Sequence, residues 1–356
     1  MSNVKQAVVL VGGLGTRLRP LTLTTPKPLV PVANRPLLAH ILRWLEAAGV
    51  EEVILATQYA AAAFAPFLRG WRGVATQAIT EASPLGTAGA VANVRHLLRG
   101  ATFVVNGDLL TNLDLRALAA LHQQRGSQAT IATAEVDDPT GRGVVVCDAA
   151  GHVVVFQEKP APGTALAHTI NAGTYVIEPT ILDRLAANQP AMWETDLFPA
   201  LIREGVAIHG APLPQRWVDV GTPAGYHEAT ALVLDGLVGT PPGVASRAGL
   251  WIDDNVSVSA EAQITGPAAL AFGAIVAAGV EISGPAMLGR DVHLLPGAQL
   301  HASALWDGTL VERDARIEHC IVGYNCYIGT GAHLMNMVLG DHTIVPAHSL
   351  NLLPKP

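Results

Sequence analysis

The sequence has little cysteine and little charge. Three cysteines occur in 356 residues, an odd number with no metal-ligand spacing, at Cys147, Cys320 and Cys326. We therefore expect free thiols, a reducing compartment and no zinc site. Charged residues make up only 14% of the chain, which argues against long disordered tails because such tails are rich in charge. Hydrophobic residues make up 50%, so the chain can bury a large core.

Two further absences limit the partners. The formal net charge is −7, so the chain lacks the basic surplus that binds nucleic acid and anionic membranes. No apolar run is long enough to cross a bilayer, and the apolar segment at residues 7–11 is too short for a signal peptide. The sequence predicts a cytoplasmic protein with no nucleic-acid and no membrane partner.

The first two thirds of the sequence alternate between short apolar runs and segments of helical periodicity. This alternation predicts an α/β fold whose sheet is mostly parallel and carries helices on both faces. The predicted strands are residues 7–11, 53–56, 103–105 and 129–134, and the predicted helices are 37–48, 88–98 and 115–124. Apolar runs at 144–146 and 153–156 flank a turn sequence, which predicts an inserted hairpin.

Aliphatic residues in the last third of the chain recur with a period of six. They are Val258, Ile264, Leu270, Val276, Ile282, Leu288, Leu294 and Leu300, after which the phase slips and the period resumes at Val311 and again at Val322. A hexapeptide period predicts a parallel β-helix with the aliphatic residues inside, whereas a β-sandwich would repeat every two residues. The sequence Gly-Thr-Pro-Pro-Gly at 239–243 is a linker signal. The predicted domains are 1–236 and 251–356, joined by a linker at 237–250.

A glycine-rich turn follows the first predicted strand. Residues 12–18 read Gly-Gly-Leu-Gly-Thr-Arg-Leu, and Lys27 follows within Pro-Lys-Pro-Leu. The backbone N–H groups of such a turn can approach phosphates closely, and Arg17 and Lys27 add positive charge to the same region. The spacing fits neither a dinucleotide-binding fingerprint nor a P-loop. Prolines at 20, 26, 28 and 31 also exclude a long helix directly after the turn.

These segments, with Val-Pro-Val-Ala-Asn-Arg-Pro at 30–36, resemble the signature of the sugar-1-phosphate nucleotidylyltransferases, also called sugar-nucleotide pyrophosphorylases. The stretch Leu-Val-Gly-Gly-x-Gly-Thr-Arg-Leu-Arg-Pro-Leu-Thr looks most like the mannose-1-phosphate guanylyltransferase branch, and the resemblance extends over nearly the whole chain. It implies a Rossmann-like catalytic domain followed by a left-handed parallel β-helix of hexapeptide repeats. It also implies that Arg17 and Lys27 hold the triphosphate and stabilise the departing pyrophosphate.

A second segment, residues 81–89, places turn residues ahead of a predicted helix and resembles the family's base-reading segment. We expect its glycines to permit close backbone approach and its helix N-terminus to offer free N–H groups. Taken alone, the segment indicates an ordinary Pro-Gly loop with a threonine cap. The nucleotide-binding residues that the resemblance implies are Leu10, Gly12, Gly13, Gly15, Thr16, Arg17, Lys27, Glu81, Pro84, Gly86 and Thr87.

Two aspartates are candidate metal ligands. Asp108 ends an apolar strand in Asn-Gly-Asp, and ligands of open α/β sheets bind at the carboxyl ends of strands. Carboxylates together with phosphate oxygens are the ligands that Mg²⁺ prefers. Asp219, in Trp-Val-Asp-Val-Gly-Thr-Pro, resembles the family's second metal-binding aspartate, so the implied cofactor is Mg²⁺ on Asp108 and Asp219. Taken alone, either aspartate is equally consistent with a turn or helix cap.

Residues 156–160 and 170–175 resemble the family's sugar-phosphate site. The likeness implies that Lys159 pairs with the phosphate of the sugar 1-phosphate, that Glu158 and Asn171 bond sugar hydroxyls, and that Gly143 presents its backbone to the sugar. Taken alone, a Glu-Lys pair in a turn is ordinary solvated surface. Arg142 departs from the family, in which many relatives carry tyrosine.

The predicted reaction transfers a nucleoside monophosphate from an NTP to a sugar 1-phosphate and releases pyrophosphate. The resemblance favours GTP and mannose 1-phosphate, with UTP or dTTP and glucose 1-phosphate as the alternative. The implied catalytic residues are Arg17, Lys27, Asp108, Lys159 and Asp219. A non-catalytic sugar-nucleotide sensor is a rival hypothesis, but the presence of both cations and both aspartates favours an enzyme.

The β-helix could also transfer acyl groups, because acyltransferases with a catalytic histidine are built on this fold. The repeat region has histidines at His293, His301, His319, His333, His342 and His348. None lies in a recognisable acyltransferase constellation. We therefore expect the β-helix to serve structure or assembly, and the protein to form a homo-oligomer.

Overall fold

The computed structural model describes residues 4–58, 61–186, 188–239, 245–247 and 249–350. The chain forms two compact units. The residues up to Gly13 together with Ile41–Trp217 make the first unit, and Leu14–His40 together with the residues from Val218 onward make the second. The boundary therefore divides the glycine-rich turn. Much of the predicted linker signal at 239–243 lies outside the described residues.

A nine-stranded mixed sheet forms the centre of the first unit. Its strands are Gln6–Leu10, Glu52–Thr57, Ala75–Thr80, Thr102–Asn106, Ala129–Glu135, Gly143–Cys147, Val153–Glu158, Thr169–Ile177 and Ile208–Ala211. Gln6–Leu10 pairs in parallel with Glu52–Thr57 on one side and with Thr102–Asn106 on the other, which is the Rossmann-like part of the sheet. The α/β class is thereby confirmed.

The other part of the sheet is mostly antiparallel, although Ile208–Ala211 pairs in parallel with Ala129–Glu135. Thr169–Ile177 runs antiparallel to Thr102–Asn106 and to Ala129–Glu135. Gly143–Cys147 and Val153–Glu158 form the predicted hairpin, with both strands longer than the apolar runs indicated. A turn as short as the one joining them can connect only antiparallel strands. The sheet is mixed for this reason.

The helices follow the apolar periodicity of the sequence. Those of the described residues are α1 (Leu37–Ala48), α2 (Ala61–Gly70), α3 (Gly86–Asn93), α4 (Leu115–Arg125), α5 (Phe198–Arg203) and α6 (Pro223–Leu234). α1 buries a stripe of leucine and isoleucine side chains, and Gly49 follows it with a φ of +94°. Asp114 caps α4, because its side chain accepts hydrogen bonds from the backbone of Arg116 and Ala117. No helix among the described residues is long and apolar enough to span a membrane.

One predicted helix is wrong at its end. The apolar pattern predicted a single helix over 88–98, but α3 ends at Asn93 and Arg95–Leu97 forms a separate 3₁₀ turn. Around Val94 the backbone bonds tighten to the i−3 spacing, as they often do near the end of a helix. Further short 3₁₀ turns span Thr16–Leu18, Leu21–Leu23, Lys27–Leu29 and Pro179–Arg184, and a π turn spans Trp193–Leu197.

The second unit contains a left-handed parallel β-helix with three faces. Face 1 holds Leu250–Ile252, Ala268–Leu270, Ala286–Leu288, Ala304–Leu305, Ile321–Val322 and Val338–Leu339; face 2 holds Ser257–Val258, Ile275–Val276, His293–Leu294, Leu310–Val311, Tyr327–Ile328 and Ile344–Val345; and face 3 holds Gln263–Thr265, Glu281–Ser283, Gln299–His301, Arg316–Glu318 and His333–Met335. Ala245–Arg247 pairs antiparallel with the first strand of face 1. The predicted β-helix is confirmed.

Most of the aliphatic residues of the six-residue period fill the prism interior, from Leu270 to Leu334. Val258, on the first strand of face 2, is instead 39% exposed. Truncation of one fully buried aliphatic side chain to alanine would cost about 2–5 kcal/mol. The interior column is therefore the main stabilising feature of this unit.

The phase slip in the sequence is a change in coil length. Ile282 pairs with Leu300, eighteen residues later, but Leu300 pairs with Ile317, only seventeen residues later. The shorter coils make a tighter turn from face 3 to face 1. Ala302, His319 and Asn336 occupy that turn in successive coils with left-handed φ values of 43°, 50° and 55°.

Candidate active site

The glycine-rich turn folds back on itself within the second unit. Gly15 has a φ of +60°, and a Cβ atom there would lie 3.0 Å from Cγ2 of Thr22 and 3.1 Å from Cβ of Lys27. The Thr22 hydroxyl donates to the Gly15 carbonyl at 2.7 Å. Glycine is required because it adopts this backbone without strain and leaves room for both neighbours. Thr16 then begins the 3₁₀ turn that carries Arg17.

Asp219 is contacted by both predicted cations. Its Oδ1 lies 3.4 Å from Nζ of Lys27, and its Oδ2 lies 3.4 Å from Nη2 of Arg17. The Lys27 side chain is 7% exposed and the Arg17 side chain 63% exposed. Water screens the buried ammonium little, whereas the guanidinium can reorient toward a ligand. A phosphate entering this region would compete with Asp219 for both cations.

Two glycines beyond Asp219 leave space around it, Gly221 for the two ion pairs and Gly225 for the Asp219 backbone. A Cβ atom at Gly221 would lie 2.5 Å from Nη2 of Arg17 and 2.6 Å from Oδ1 of Asp219. A Cβ atom at Gly225 would overlap the Asp219 carbonyl oxygen. Thr222 caps α6 by accepting a hydrogen bond from the Gly225 backbone at 3.1 Å. The start of α6 therefore fixes the backbone that carries Asp219.

The first part of the glycine-rich turn belongs to the first unit. The Leu10 carbonyl accepts a hydrogen bond from the Gly107 backbone at 2.9 Å, so two strand ends meet there. A Cβ atom at Gly12 would lie 3.2 Å from Cβ of Gln58, whereas one at Gly13 would have no atom within 4 Å. Gly13 thus has open space beside its backbone, as a ligand-binding turn requires.

The predicted base-reading segment turns into α3 at Gly86. A Cβ atom at Gly86 would lie 2.6 Å from the Ala191 carbonyl oxygen. Glu81 accepts a hydrogen bond from the Leu85 backbone at 3.1 Å, and burial raises the pKa of its carboxyl group above the ordinary value. Pro84 is exposed in the turn. Glu81 therefore shapes the turn through the backbone of Leu85.

The start of α3 differs from the expectation of free N–H groups and also from the alternative of an ordinary loop with a threonine cap. Ala88 and Gly89 donate their backbone N–H groups to the Ala191 carbonyl at 2.9 and 3.0 Å, so these two groups are not free for a ligand. Thr87 is not the cap: its hydroxyl lies 3.4 Å from a carboxylate oxygen of Glu194 and accepts a bond from the Trp193 backbone. Packing of the 189–194 segment against α3 explains both differences.

The predicted sugar-phosphate residues lie in the first unit. Lys159 follows Glu158 directly, and the two side chains form an ion pair of 2.9 Å. The Lys159 side chain is 71% exposed, so its charge can reach a ligand. A Cβ atom at Gly143 would lie 3.1 Å from the ring of Phe156 and 3.3 Å from Oε2 of Glu158. Arg142, the departure from the family pattern, lies with its guanidinium 5.2 Å from the ring centroid of Trp217.

Asn171 is held by a buried tyrosine. Its amide donates to the Tyr175 hydroxyl at 2.6 Å, and its carbonyl accepts from the Gly173 backbone at 2.9 Å. Burial, with the nearby charges of Glu194, Glu158 and Asp108, raises the pKa of Tyr175 well above its ordinary value. The phenol therefore stays protonated.

Asp108 lies two residues beyond the end of the strand Thr102–Asn106, at its predicted place near the carboxyl end of that strand. The negative charge of Asp108 makes a small contribution to the raised pKa of Tyr175, whose hydroxyl accepts the hydrogen bond from Asn171. The first unit thus gathers Asp108, Glu158, Lys159 and Asn171 in the surroundings of one buried phenol. The second unit gathers Arg17, Lys27 and Asp219.

The family model described as "Nucleotidyl transferase" matches residues 6–236. This chain belongs to the nucleotidyl transferase family. Its α/β unit and the motifs read from the sequence agree with that membership, and the chain is therefore an enzyme of the nucleotidyltransferase class.

Similar proteins extend beyond the matched domain. The chain is 38% identical to mannose-1-phosphate guanylyltransferase of Mycobacterium tuberculosis over 88% of this chain and 82% of that protein. It is 35% identical to mannose-1-phosphate guanylyltransferase 1 of Arabidopsis thaliana over 94% and 91%. The corresponding enzyme of Schizosaccharomyces pombe is 34% identical over 96% and 92%. These alignments include the β-helix.

A solved structure supports the fold of part of the chain. The crystal structure of HddC from Yersinia pseudotuberculosis superposes with a TM-score of 0.56 and 29% identity, covering 64% of this chain and 98% of HddC. A second structure of HddC, complexed with GMP-PN, gives the same values.

Nucleotidyltransferases of this family generally use a divalent metal. The described residues contain no group of three or more His, Cys, Asp or Glu side chains that could hold a metal ion. A magnesium site made of two carboxylates and substrate phosphates would not form such a group. The donor set fits, because Asp219 offers partly exposed carboxylate oxygens at the end of the strand Trp217–Asp219.

Glu194 is a residue near the candidate site that no sequence pattern indicated. Burial raises the pKa of its carboxyl group, and the charge of Glu158 adds to the shift. It lies in the π turn Trp193–Leu197, a conformation that is frequent at functional sites. No motif marks it, because its relevance depends on a contact with Thr87 more than one hundred residues away. Gly221 belongs to the sequence motif around Asp219, but its role becomes visible only from the space that it leaves for the side chains of Arg17 and Asp219.

Proposed function

We propose that this nucleotidyl transferase transfers GMP from GTP to mannose 1-phosphate, which yields GDP-mannose and pyrophosphate. The choice of substrates is supported by the relatives named mannose-1-phosphate guanylyltransferase, which align over most of both chains. The transfer chemistry is supported by one observation above all. Lys27 and Arg17 converge on Asp219, next to a turn that only glycine can form.

The reaction is an in-line displacement. A phosphate oxygen of mannose 1-phosphate attacks the α-phosphorus of GTP, the bond from that phosphorus to the bridging oxygen of the β-phosphate breaks, and pyrophosphate leaves. No side chain acts as a nucleophile. Since both reactants are polyanions, catalysis consists of aligning them and neutralising their charge.

The cations divide between the two substrates. Arg17 and Lys27 bind the β- and γ-phosphates and stabilise the negative charge that grows on the leaving pyrophosphate. Lys159 binds the phosphate of mannose 1-phosphate, for which its exposed ammonium is suited. Loss of one such preorganised donor typically costs about a factor of 10²–10³ in turnover.

The remaining predicted residues orient the substrates. Glu158, Asn171 and the backbone at Gly143 bind the sugar. The nucleoside and the phosphate backbone are bound by the residues of the two glycine-containing turns, which are Leu10, Gly12, Gly13, Gly15, Thr16, Glu81, Pro84, Gly86 and Thr87.

Asp108 and Asp219 would hold Mg²⁺. The bound ion would neutralise the phosphates between which the new bond forms. Asp108→Asn should abolish metal-dependent activity, and Asp219→Asn should do the same while also freeing Arg17 and Lys27 from their carboxylate partner.

We further propose a cytoplasmic homo-oligomer whose catalytic domain spans 1–236 and whose β-helix domain spans 251–356, joined at 237–250. The reducing cytoplasm agrees with thiols that form no disulfide among the described cysteines.

A substrate panel tests the proposed function. GTP, ATP, UTP and dTTP are each combined with mannose 1-phosphate and glucose 1-phosphate, and pyrophosphate release is measured with Mg²⁺ and with EDTA. We expect the highest kcat/KM for GTP with mannose 1-phosphate and none with EDTA. A preference for UTP or dTTP with glucose 1-phosphate would overturn the substrate assignment. Nucleotide binding without turnover of any pair would indicate the regulatory homologue instead, and acetyl-CoA consumption would reveal an acyltransferase.

A further inference from the structure

The signature loop, residues 14–36, lies along one corner of the β-helix within the second unit. This corner is made by the turns that follow the strands of face 1, and we call it the corner strip. It includes Trp306, which follows the strand Ala304–Leu305, and Gly340 and Asp341, which both follow the strand Val338–Leu339. The loop contacts the corner strip or the neighbouring face at three places.

The first contact lies between the two cations in sequence. The Thr24 hydroxyl donates to Oδ2 of Asp341 at 2.7 Å. The other oxygen of Asp341 accepts from the Tyr324 backbone at 2.9 Å, so the carboxylate is fixed by the adjacent coil. A Cβ atom at Gly340 would lie 3.2 Å from Cβ of Pro20. The last coils of the β-helix therefore hold the segment that joins Arg17 to Lys27.

The second contact is buried and passes through α6. The Tyr226 hydroxyl donates to the Pro31 carbonyl and accepts from Nε1 of Trp306 at 3.1 Å. Both rings are fully buried. Burial raises the pKa of Tyr226 above its ordinary value, so the hydroxyl keeps its proton and continues to donate.

The third contact is made by Asn34, which has a left-handed backbone with a φ of 63°. Its amide nitrogen donates to the Leu288 carbonyl at 2.9 Å and lies 3.3 Å from the Ala269 carbonyl. These carbonyls belong to adjacent strands of face 1. The loop is thus attached at three points, with Lys27 between the first and the second.

We propose that the β-helix positions Arg17 and Lys27, and that Asp341 is a positioning residue that acts through Thr24. This inference rests on the proposed function, since it concerns the cations of that reaction. Catalytic charges must be placed to well under an ångström, and a misplacement of about 1 Å can cost about a factor of 10² in rate. An exposed hydrogen bond such as Thr24–Asp341 contributes little to folding stability, so its loss can be studied in a folded protein.

The first experiment removes one hydroxyl. Thr24→Val deletes the donor at constant shape, Thr24→Ser restores it, and Thr180→Val is the matched control. Thr180 is also exposed and also bonds a distant side chain, that of Gln128, but it lies in the first unit outside the predicted site. We expect Thr24→Val to lower kcat by about tenfold with the melting temperature unchanged, and the other two variants to stay within about twofold of wild type. Equal kcat for Thr24→Val and Thr180→Val would overturn the proposal.

The second experiment asks whether the effect passes through the cation. Thr24→Val is combined with Arg17→Ala, and kcat/KM for GTP is measured for both single variants and the double variant. If Thr24 acts by positioning Arg17, Thr24→Val should cause less than about twofold further loss once Arg17 is absent. The same cycle is measured with Lys27→Ala, and additive losses in both cycles would indicate a merely structural role and would contradict the inference. Gly340→Ala, which would displace Pro20, should show the same dependence on Arg17.

The two levels of failure can be told apart. A wild-type protein that releases no pyrophosphate from any substrate pair would contradict the proposed function. An active wild type whose variants show additive losses would leave the function in place and remove only the positioning role of the β-helix.

Discussion

Gly221 offers a sharp test of the cation arrangement. Gly221→Ala adds one methyl group at a point 2.5 Å from Nη2 of Arg17 and 2.6 Å from Oδ1 of Asp219. Ordinary contacts at such a carbon are about 3.4 Å or longer, so each polar group must move by close to 1 Å. The atoms that move are the ends of flexible side chains, and the backbone at Gly221 does not have the positive φ that would strain an alanine.

The expected effects on activity and stability are different in size. A displacement of about 1 Å at catalytic charges corresponds to a loss of about 10² in kcat/KM. The stability change should be small, because Gly→Ala at a compatible backbone restricts the unfolded chain and adds about 0.4–1 kcal/mol, which offsets the local crowding. We therefore expect a melting temperature within a few degrees of wild type.

The measurement is pyrophosphate release with GTP and mannose 1-phosphate, alongside thermal unfolding. Gly100→Ala is the control, because a Cβ atom there would meet no atom within 4 Å and the backbone φ is ordinary. We expect this control to match wild type in both assays. Turnover of Gly221→Ala within about threefold of wild type would refute the reasoning, since the ion pairs cannot keep their observed geometry around the new methyl group.

Three further predictions follow from other parts of the structure. Lys159→Met should raise the KM for mannose 1-phosphate by about tenfold or more while the KM for GTP stays within about twofold, and equal changes in both would contradict its assignment to the sugar phosphate. Burial raises the pKa of Glu194, so ionisation of this carboxyl group at neutral pH opposes folding. Glu194→Gln should therefore raise the melting temperature at pH 8 but not at pH 4. A change of equal size at the two pH values would contradict the predicted effect of burial. Burial lowers the pKa of His40 from 6.5 to about 4, so the unfolded chain binds the proton more readily and stability falls as the pH drops through that range, by up to about 3 kcal/mol. His40→Gln should flatten the pH dependence of the urea midpoint between pH 6.5 and 4, and an unchanged slope would show that other groups cause it.

The parts of the fold that the sequence predicted well are those with a local period. Leu270, Val276 and Ile282 are spaced by the local repeat of the coils, in which each coil resembles the one before it. The β-helix can therefore be predicted without knowledge of distant contacts. α1 has the same property, since its buried stripe and the following Gly49 lie within one short segment. The phase slip was visible in the sequence, but its origin was not. Coil length depends on a left-handed turn conformation, and the residue types alanine and histidine at Ala302 and His319 do not predict that conformation.

The candidate site could be predicted where a motif carries the chemistry. Arg17, Lys27 and Asp219 were predicted from their sequence surroundings, and both cations form ion pairs with Asp219 in the structure. The surroundings of α3 could not be predicted, because the Ala191 carbonyl that occupies its first N–H groups comes from a segment a hundred residues away. Glu194 was missed for the same reason. Long-range packing decides which polar groups remain available, and local patterns contain no information about it.

The attachment of Thr24 to Asp341 constrains how this chain can lengthen or shorten. Repeat proteins change size most easily by tandem duplication or deletion of whole repeats, because each coil contacts only the coils next to it. An extra coil inserted between Trp306 and Asp341 would carry Asp341 about 4.8 Å along the prism axis, beyond hydrogen-bonding reach of Thr24. The number of coils in this stretch is therefore matched to the length of the segment between Pro20 and Pro31. A change in the number of coils would require a matching change in the length of that segment.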